Sequence, residues 1–436
     1  MNQPAGFRLP QLLLPKSGID LRRWAVIACD QYTAEPEYWR RVEAEVGAAP
    51  STLRLVYPEI WLEAADAPAR IAAIQEAMRR YLGEGLLQPH AGAVYVEREV
   101  DGRTRRGLLL EIDLEHYDYS PASTSLVRPT EGTIVARLAP RIEVRRDAAL
   151  ELPHVLVLID DPEGTVIEPI AAARAELRAL YATELMLGGG TLGGWAVDAA
   201  RGARAAAALA ALGDAAACAR RYGVAAGTPP MLFAVGDGNH SLATAKAIWE
   251  ETKARVGMEH PSRWALVEVE NIHDPALHFA PIHRLLFGVR GDLRAVLRTA
   301  FGERLAIHEQ ASAAAMAARV QAVAPPRQAV GLVEPGPRFA VAEIDAPPAP
   351  LAVGSLQPVL DAFVATGNAA QIDYIHGDDV LVRLGTQPGH AGLHLAALGK
   401  DALLRQVVHS GPLPRKTFSM GEAHEKRYYF EARRIR

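Results

Sequence analysis

Residues 231–257 read MLFAVGDGNHSLATAKAIWEETKARVG, and their order decides what kind of fold the chain adopts. Met231 to Val235 form a short apolar run of the length of a buried strand. Gly236-Asp237-Gly238-Asn239-His240-Ser241 then turns directly into an amphipathic helix reaching Gly257. Leu242, Ala245, Ile248, Trp249 and Thr252 recur there at helical spacing with charges between them. Asp237, Asn239 and Ser241 are residue types that cap helix N-termini, and the glycines allow tight or left-handed backbone angles. A strand, a glycine turn and a helix start gather free amides and the positive dipole end at one spot, which suits a phosphate. Capping alone accounts for the glycines and the aspartate. It does not account for His240, which sets a second titratable group beside Asp237.

Outward from this stretch, strands and helices alternate. Trp24 to Ala28 reads as a strand ending in Cys29-Asp30-Gln31-Tyr32, and Pro36 opens a helix through Tyr38, Trp39 and Val42. Residues 66–84 repeat the helical pattern, and 93–114 read as a hairpin turning at Asp101-Gly102. A further strand spans His154 to Ile159. This alternation predicts a mixed α/β fold with an α+β sheet, divided into an N-terminal α/β region (1–125), a central phosphate-binding region (126–290) and a C-terminal α/β region (291–436). In the last, Gly354 to Ala370 reads as a helix and Ile372 to Leu384 as a strand pair around His376-Gly377-Asp378-Asp379. The ending KRYYFEARRI alternates aromatic and basic residues and reads as a returning strand.

The bulk composition narrows the function classes. The 436 residues are 49% hydrophobic and 22% charged, with a formal net charge of −4. That balance gives no global attraction to nucleic acid or acidic membranes. No apolar run is long enough to span a bilayer, and the N-terminal Leu12-Leu13-Leu14 lacks the flanks of a signal peptide. Cys29 and Cys218 make neither a disulfide framework nor a zinc site. The chain reads as cytoplasmic, with no nucleic-acid or membrane partner.

Three other places could carry chemistry. Loop 128–141, RPTEGTIVARLAPR, combines Glu131 with Arg128, Arg137 and Arg141; the planar guanidinium suits phosphate, and a carboxylate among arginines can serve as a base over a hydroxyl. The default for such a loop is a solvated charged face. In HFAPIHRLLF, His283 and Arg284 follow a proline turn and could bring two cationic donors to an anion, or form a surface basic pair. Cys29-Asp30-Gln31 stands at a strand end, but no histidine near Cys29 in sequence supports a thiol nucleophile. Gly188 to Gly194 lacks the lysine of a P-loop and reads as a flexible loop or a flap. His273, His278 and His283 are spaced by five and cannot share a helical face as zinc ligands do.

Asp-Gly-Asn-His-Ser after an apolar strand resembles the Asp-Gly-His-His-Arg signature of the ParB/sulfiredoxin superfamily. The chain is also similar to a bacterial family classed as a domain of unknown function, DUF1015. That likeness runs through WAVIACDQY, Thr130-Glu131-Gly132-Thr133, the Asp-Gly-Asn-His helix, Pro281-Ile282-His283-Arg284 and KTFSMGEAHEKRYYFEAR. The superfamily resemblance implies a ParB/sulfiredoxin-like phosphate-binding core with appended N- and C-terminal regions. In that superfamily the loop cradles nucleotide phosphates, and some members phosphorylate free serine from ADP, ATP or pyrophosphate. Asp237, Gly238, Asn239, His240 and Ser241 would carry over as the phosphate loop. Asn239 and Ser241 replace a histidine and an arginine of the signature, and Arg137, Arg141 or Arg284 could supply the missing contact.

The expectation is therefore a small-molecule kinase. Donor phosphates rest on 237–241, Mg²⁺ bridges them to Asp237 or binds the phosphates alone, Glu131 orients or deprotonates an alcohol such as free L-serine, and His240 with the arginines stabilises the transferring group. His283 and Arg284 join the phosphate-binding set. Two alternatives stay open: a ParB-type nucleotide-binding regulatory module, and a metal-dependent phosphohydrolase using Asp237, His240 and Asp160.

Overall fold

A computed structural model describes residues 6–436. The fold is mixed α/β. Contacts divide the chain into two units. One comprises the residues up to Leu277 together with Val407–Pro412 and Gly421–Arg436; the other comprises His278–Gln406 and Leu413–Met420.

The first unit is built on a nine-stranded sheet. Its order is Arg178–Glu184, Thr191–Ala196, Val94–Val100, Arg103–Asp113, Trp264–Asn271, Leu156–Ile159, Phe233–Asp237 and Val127–Pro129, with Phe7–Arg8 joined to the fourth of these. Two neighbouring pairs are parallel: 264–271 with 156–159, and 233–237 with 127–129. The other pairs are antiparallel, so the sheet is mixed. The hairpin turning at Asp101-Gly102 forms as its sequence indicates.

Strand Trp264–Asn271 shows how the two faces differ. Ala265, Val267 and Val269 pack into the core that holds Leu242, Ala245 and Trp249 of the helix Asn239–Val256. Side chains alternate along a strand, so Leu266, Glu268 and Glu270 face the other way. Leu266 joins a core containing Trp24, Tyr181 and Phe430, while the two glutamates are buried as charged groups. Gly107 leaves room for one of them: a Cβ there would stand 2.3 Å from Glu268 Oε1.

The C-terminal stretch threads this second face. Tyr428–Tyr429 pairs with Val26–Ile27, and Arg433–Arg434 pairs with Leu150–Glu151. Phe430 is fully buried, stacks on Tyr181 at 3.9 Å, and its carbonyl accepts from Trp24 Nε1 at 2.8 Å. Arg427 is buried between Glu268 (2.6 Å) and Glu431 (2.7 Å), which compensate its charge.

The glycine stretch at 188–194 is neither a flexible loop nor a flap. Thr191–Ala196 is an interior strand, hydrogen-bonded on both sides. Its glycines serve packing, since a Cβ on Gly194 would lie 2.1 Å from the Tyr181 ring.

The second unit has a six-stranded antiparallel sheet: Leu305–Gln310, Arg338–Ile344, Gln328–Glu334, His390–Leu395, His283–Phe287 and Gln371–Ile375. Residues 352–365 form a helix. The expected strand pair around 376–379 is instead one strand, Gln371–Ile375, followed by a helix, Asp378–Gly385. Gly377, at φ 83°, breaks the strand, and the acidic Asp378 and Asp379 suit a helix's first turn. Among the described residues, no helix is long and apolar enough to cross a membrane.

Candidate functional site

The strand Phe233–Asp237 ends in Gly238, and the helix Asn239–Val256 begins at once. The N-cap is Gly238 in the left-handed region (φ 80°), not Asp237, Asn239 or Ser241. Only glycine suits this point, because a Cβ would also meet Val155 Cα at 3.0 Å. No side chain caps the helix. Asn239, His240 and Ser241 form the first turn of this 18-residue helix, at its positive end, behind a glycine N-cap that brings no side chain of its own.

Loop 130–134 lies against this turn. Strand Val127–Pro129 runs parallel to Phe233–Asp237, and Thr130 donates from its amide (3.3 Å) and its hydroxyl (2.7 Å) to the Val235 carbonyl. The Ile134 amide then donates to His240 Nε2 at 3.4 Å. Glu131, half-buried, sits within this loop. The structure therefore brings the 131–134 segment and the 237–241 turn together.

The cations beside the turn come from distant sequence. Lys426, buried, places Nζ 3.4 Å from Asp237 Oδ2. Arg98 positions it, donating to the carbonyls of Lys426 (3.0 Å) and His424 (2.8 Å). Burial works against ionisation of Asp30. The charges of His154 and Lys426 and a hydrogen bond from Gln31 overcome it and hold the carboxyl below its usual range. Lys426 thus acts on both Asp237 and Asp30. Sequence reasoning missed it, although it lies in the quoted HEKRYYFEAR ending.

His154 is a second residue that the sequence did not mark. It is buried just before strand Leu156–Ile159, whose Leu156 pairs with Asp237. Its Nε2 lies 3.1 Å from Ser241 Oγ and 3.8 Å from Asp30 Oδ2, and its Nδ1 lies 2.7 Å from the Tyr429 hydroxyl. Tyr429 in turn donates to Cys29 Sγ at 3.0 Å. Burial, with the charges of Asp30 and Glu59, pushes the Cys29 thiol well up, so it stays protonated and is no nucleophile. A cavity of about 140 Å³ is lined by Cys29, Arg141, His154, Ser241 and Tyr429.

The arginines of loop 128–141 part ways. Arg128 is buried and donates to the carbonyls of Ser125 and Pro229, a structural role. Arg137 is exposed, and its carbonyl accepts from Arg141. Arg141 reaches the cavity but is paired with Glu59 at 2.7 Å.

His283 and Arg284 belong to the second unit. Arg284 is buried against the carbonyls of Ile282 (2.5 Å) and Lys416 (2.7 Å) and the side chain of Gln357 (2.9 Å). His283 lies 2.9 Å from Asp378, which His394 also approaches at 3.2 Å. These three could hold a metal ion by distance. The Leu395 amide donates to His283 Nδ1, however, so the neutral ring carries its proton on Nε2 and donates it to Asp378. Burial, with the charge of His394, pulls the His283 pKa down to about 4, and that favours this neutral form.

Asp160 lies apart from Asp237. Leu156 pairs with Asp237 and Asp160 follows four residues later, about 13 Å along at roughly 3.3 Å per residue. Its carboxylate meets His273 at 2.8 Å. Asp237, His240 and Asp160 therefore do not form one cluster.

Residues 13–363 match a protein family described as "Protein of unknown function (DUF1015)". No curated protein matches the chain. Among solved structures, a free serine kinase variant in complex with ADP is similar at 12% identity and a TM-score of 0.40, covering 74% of this chain and 91% of that one. A conserved hypothetical protein from Pyrococcus furiosus (13%, TM-score 0.34, 74% and 90%) and C-terminally truncated SbnI from Staphylococcus aureus (12%, 0.34, 72% and 82%) are similar to a like degree. At these scores the likeness carries no argument about this chain's activity.

Proposed function

We propose a function on one premise: the chain belongs to the DUF1015 family. On this reading it is a small-molecule kinase that transfers a phosphoryl group from a nucleotide or pyrophosphate to an alcohol, free L-serine being the acceptor to test first. The observation that carries it is the glycine-capped first turn at Asn239–Ser241 with Lys426 and Asp237 at its mouth. Oriented amides and a buried ammonium in a water-poor setting stabilise phosphate oxygens without reorganising. Phosphoryl transfer asks chiefly for such positioning and charge neutralisation.

Asp237 and Asp30 are the carboxylates that would hold Mg²⁺, since a hard cation takes one or two carboxylate oxygens alongside phosphates. When bound, the ion would neutralise charge on the donor phosphates. Glu131 orients or deprotonates the acceptor hydroxyl, and His240, held by the Ile134 amide, faces the transferring group. Lys426, rather than Arg284, supplies the cation that Ser241 does not.

The test is to incubate the protein with Mg²⁺, L-serine and each of ATP, ADP and pyrophosphate. Phosphoserine formed by the wild type and lost in Glu131→Gln is the expected result. Donor breakdown independent of serine overturns the reading in favour of hydrolysis, and saturable nucleotide binding without turnover overturns it in favour of a regulatory module.

A further inference from the structure

We propose that Ser241 is itself a phosphoryl acceptor, with His154 as its base. This rests on the phosphate-binding reading of the 237–241 turn but goes beyond it. A hydroxyl nucleophile needs a base within hydrogen-bond reach and a third group that orients the base. Ser241 Oγ stands 3.1 Å from His154 Nε2, and Tyr429 holds Nδ1 at 2.7 Å.

The protonation pattern suits the task. Tyr429 spends its one proton on Cys29 Sγ and accepts from the Cys29 amide at 3.2 Å. Its remaining lone pair accepts from His154 Nδ1–H, which leaves Nε2 bare and aimed at the serine hydroxyl. Ser241 is the third residue of the helix, so its oxygen sits at the positive dipole end.

The step balances with a nucleoside triphosphate as donor. Ser241 Oγ forms a bond to the terminal phosphorus, and its proton passes to His154 Nε2. The bond from that phosphorus to the bridging oxygen breaks, and the nucleoside diphosphate leaves. The product is a phosphomonoester on Ser241.

The experiment incubates the full chain with Mg²⁺ and ATP, then maps acid-stable phosphate by peptide mass spectrometry alongside nucleotide binding by calorimetry. One phosphoryl group on Ser241 is expected, absent in Ser241→Ala and formed about 10²-fold more slowly in His154→Gln. Circular dichroism spectra and urea-unfolding midpoints close to those of the wild type show that each variant folds. A wild type that binds ATP but stays unmodified overturns this inference alone, as does label that persists in Ser241→Ala or proves acid-labile. Failure to bind ATP, ADP or pyrophosphate overturns the phosphate-site reading and this inference with it.

Discussion

Lys426 Nζ stands 3.4 Å from Asp237 Oδ2, so the end of the chain supplies the cation at the mouth of the turn that opens the helix Asn239–Val256. Both side chains are largely shielded from water, with 10% and 19% of their surfaces exposed. Reduced solvent screening strengthens the action of the Lys426 ammonium on a phosphate beside the turn. Lys426→Met is expected to weaken nucleotide binding by about 1.5–3 kcal/mol, roughly 10- to 100-fold in Kd. Isothermal titration calorimetry reads this directly, and unchanged affinity removes Lys426 from the site.

Gly238→Ala is expected to destabilise the first unit. Its left-handed angle costs a non-glycine residue about 1–2 kcal/mol, and the added methyl meets the Val155 backbone at 3.0 Å. Urea unfolding followed by circular dichroism should show a lower midpoint, and nucleotide binding should weaken with it.

Arg427→Met is expected to be far more damaging than its single charge suggests. It strips the partner from Glu268 and Glu431, whose side chains are 3% and 0% exposed. Breaking a buried pair in this way costs about 3–5 kcal/mol. A melting temperature close to that of the wild type would contradict the network.

Glu270 gives a pH signature. Burial pushes its carboxyl up to about 8 against the pull of Arg105, 2.7 Å away, with Glu268 and Asp274 adding like charge. Burial works against the Arg105 charge and the carboxylates of Glu270 and Glu268 favour it, but loss of hydration decides the glutamate. The folded state therefore holds a proton that the unfolded chain releases near 4.5. That contribution to stability is complete below 4.5 and is lost as pH rises through about 8. Glu270→Gln, which cannot ionise, should lose less stability than the wild type between pH 5 and pH 9 in urea unfolding. Parallel curves for the two proteins would show that Glu270 stays ionised when folded.

Local signals carried much of the fold. Asp101-Gly102 turns a hairpin because that dipeptide accepts the angles a tight turn needs, and the apolar spacing from Leu242 to Trp249 builds the buried face of the helix. The glycines of 188–194 misled, since their purpose depends on Tyr181 and Trp195 lying over the strand. Asp378 and Asp379 misled in the same way, because a two-residue acidic turn and a helix start look alike without the sheet beneath them.

The sequence by itself determined that a strand runs through a glycine turn into a helix at 233–256, because adjacent residues set backbone angles and apolar period. Only the tertiary structure decided what stands around that turn. His154, Asp30, Lys426 and Tyr429 meet Ser241 and Asp237 through strand pairing and burial of the C-terminal segment. Those contacts join residues far apart in the sequence, and no local pattern encodes which charges a fold brings together.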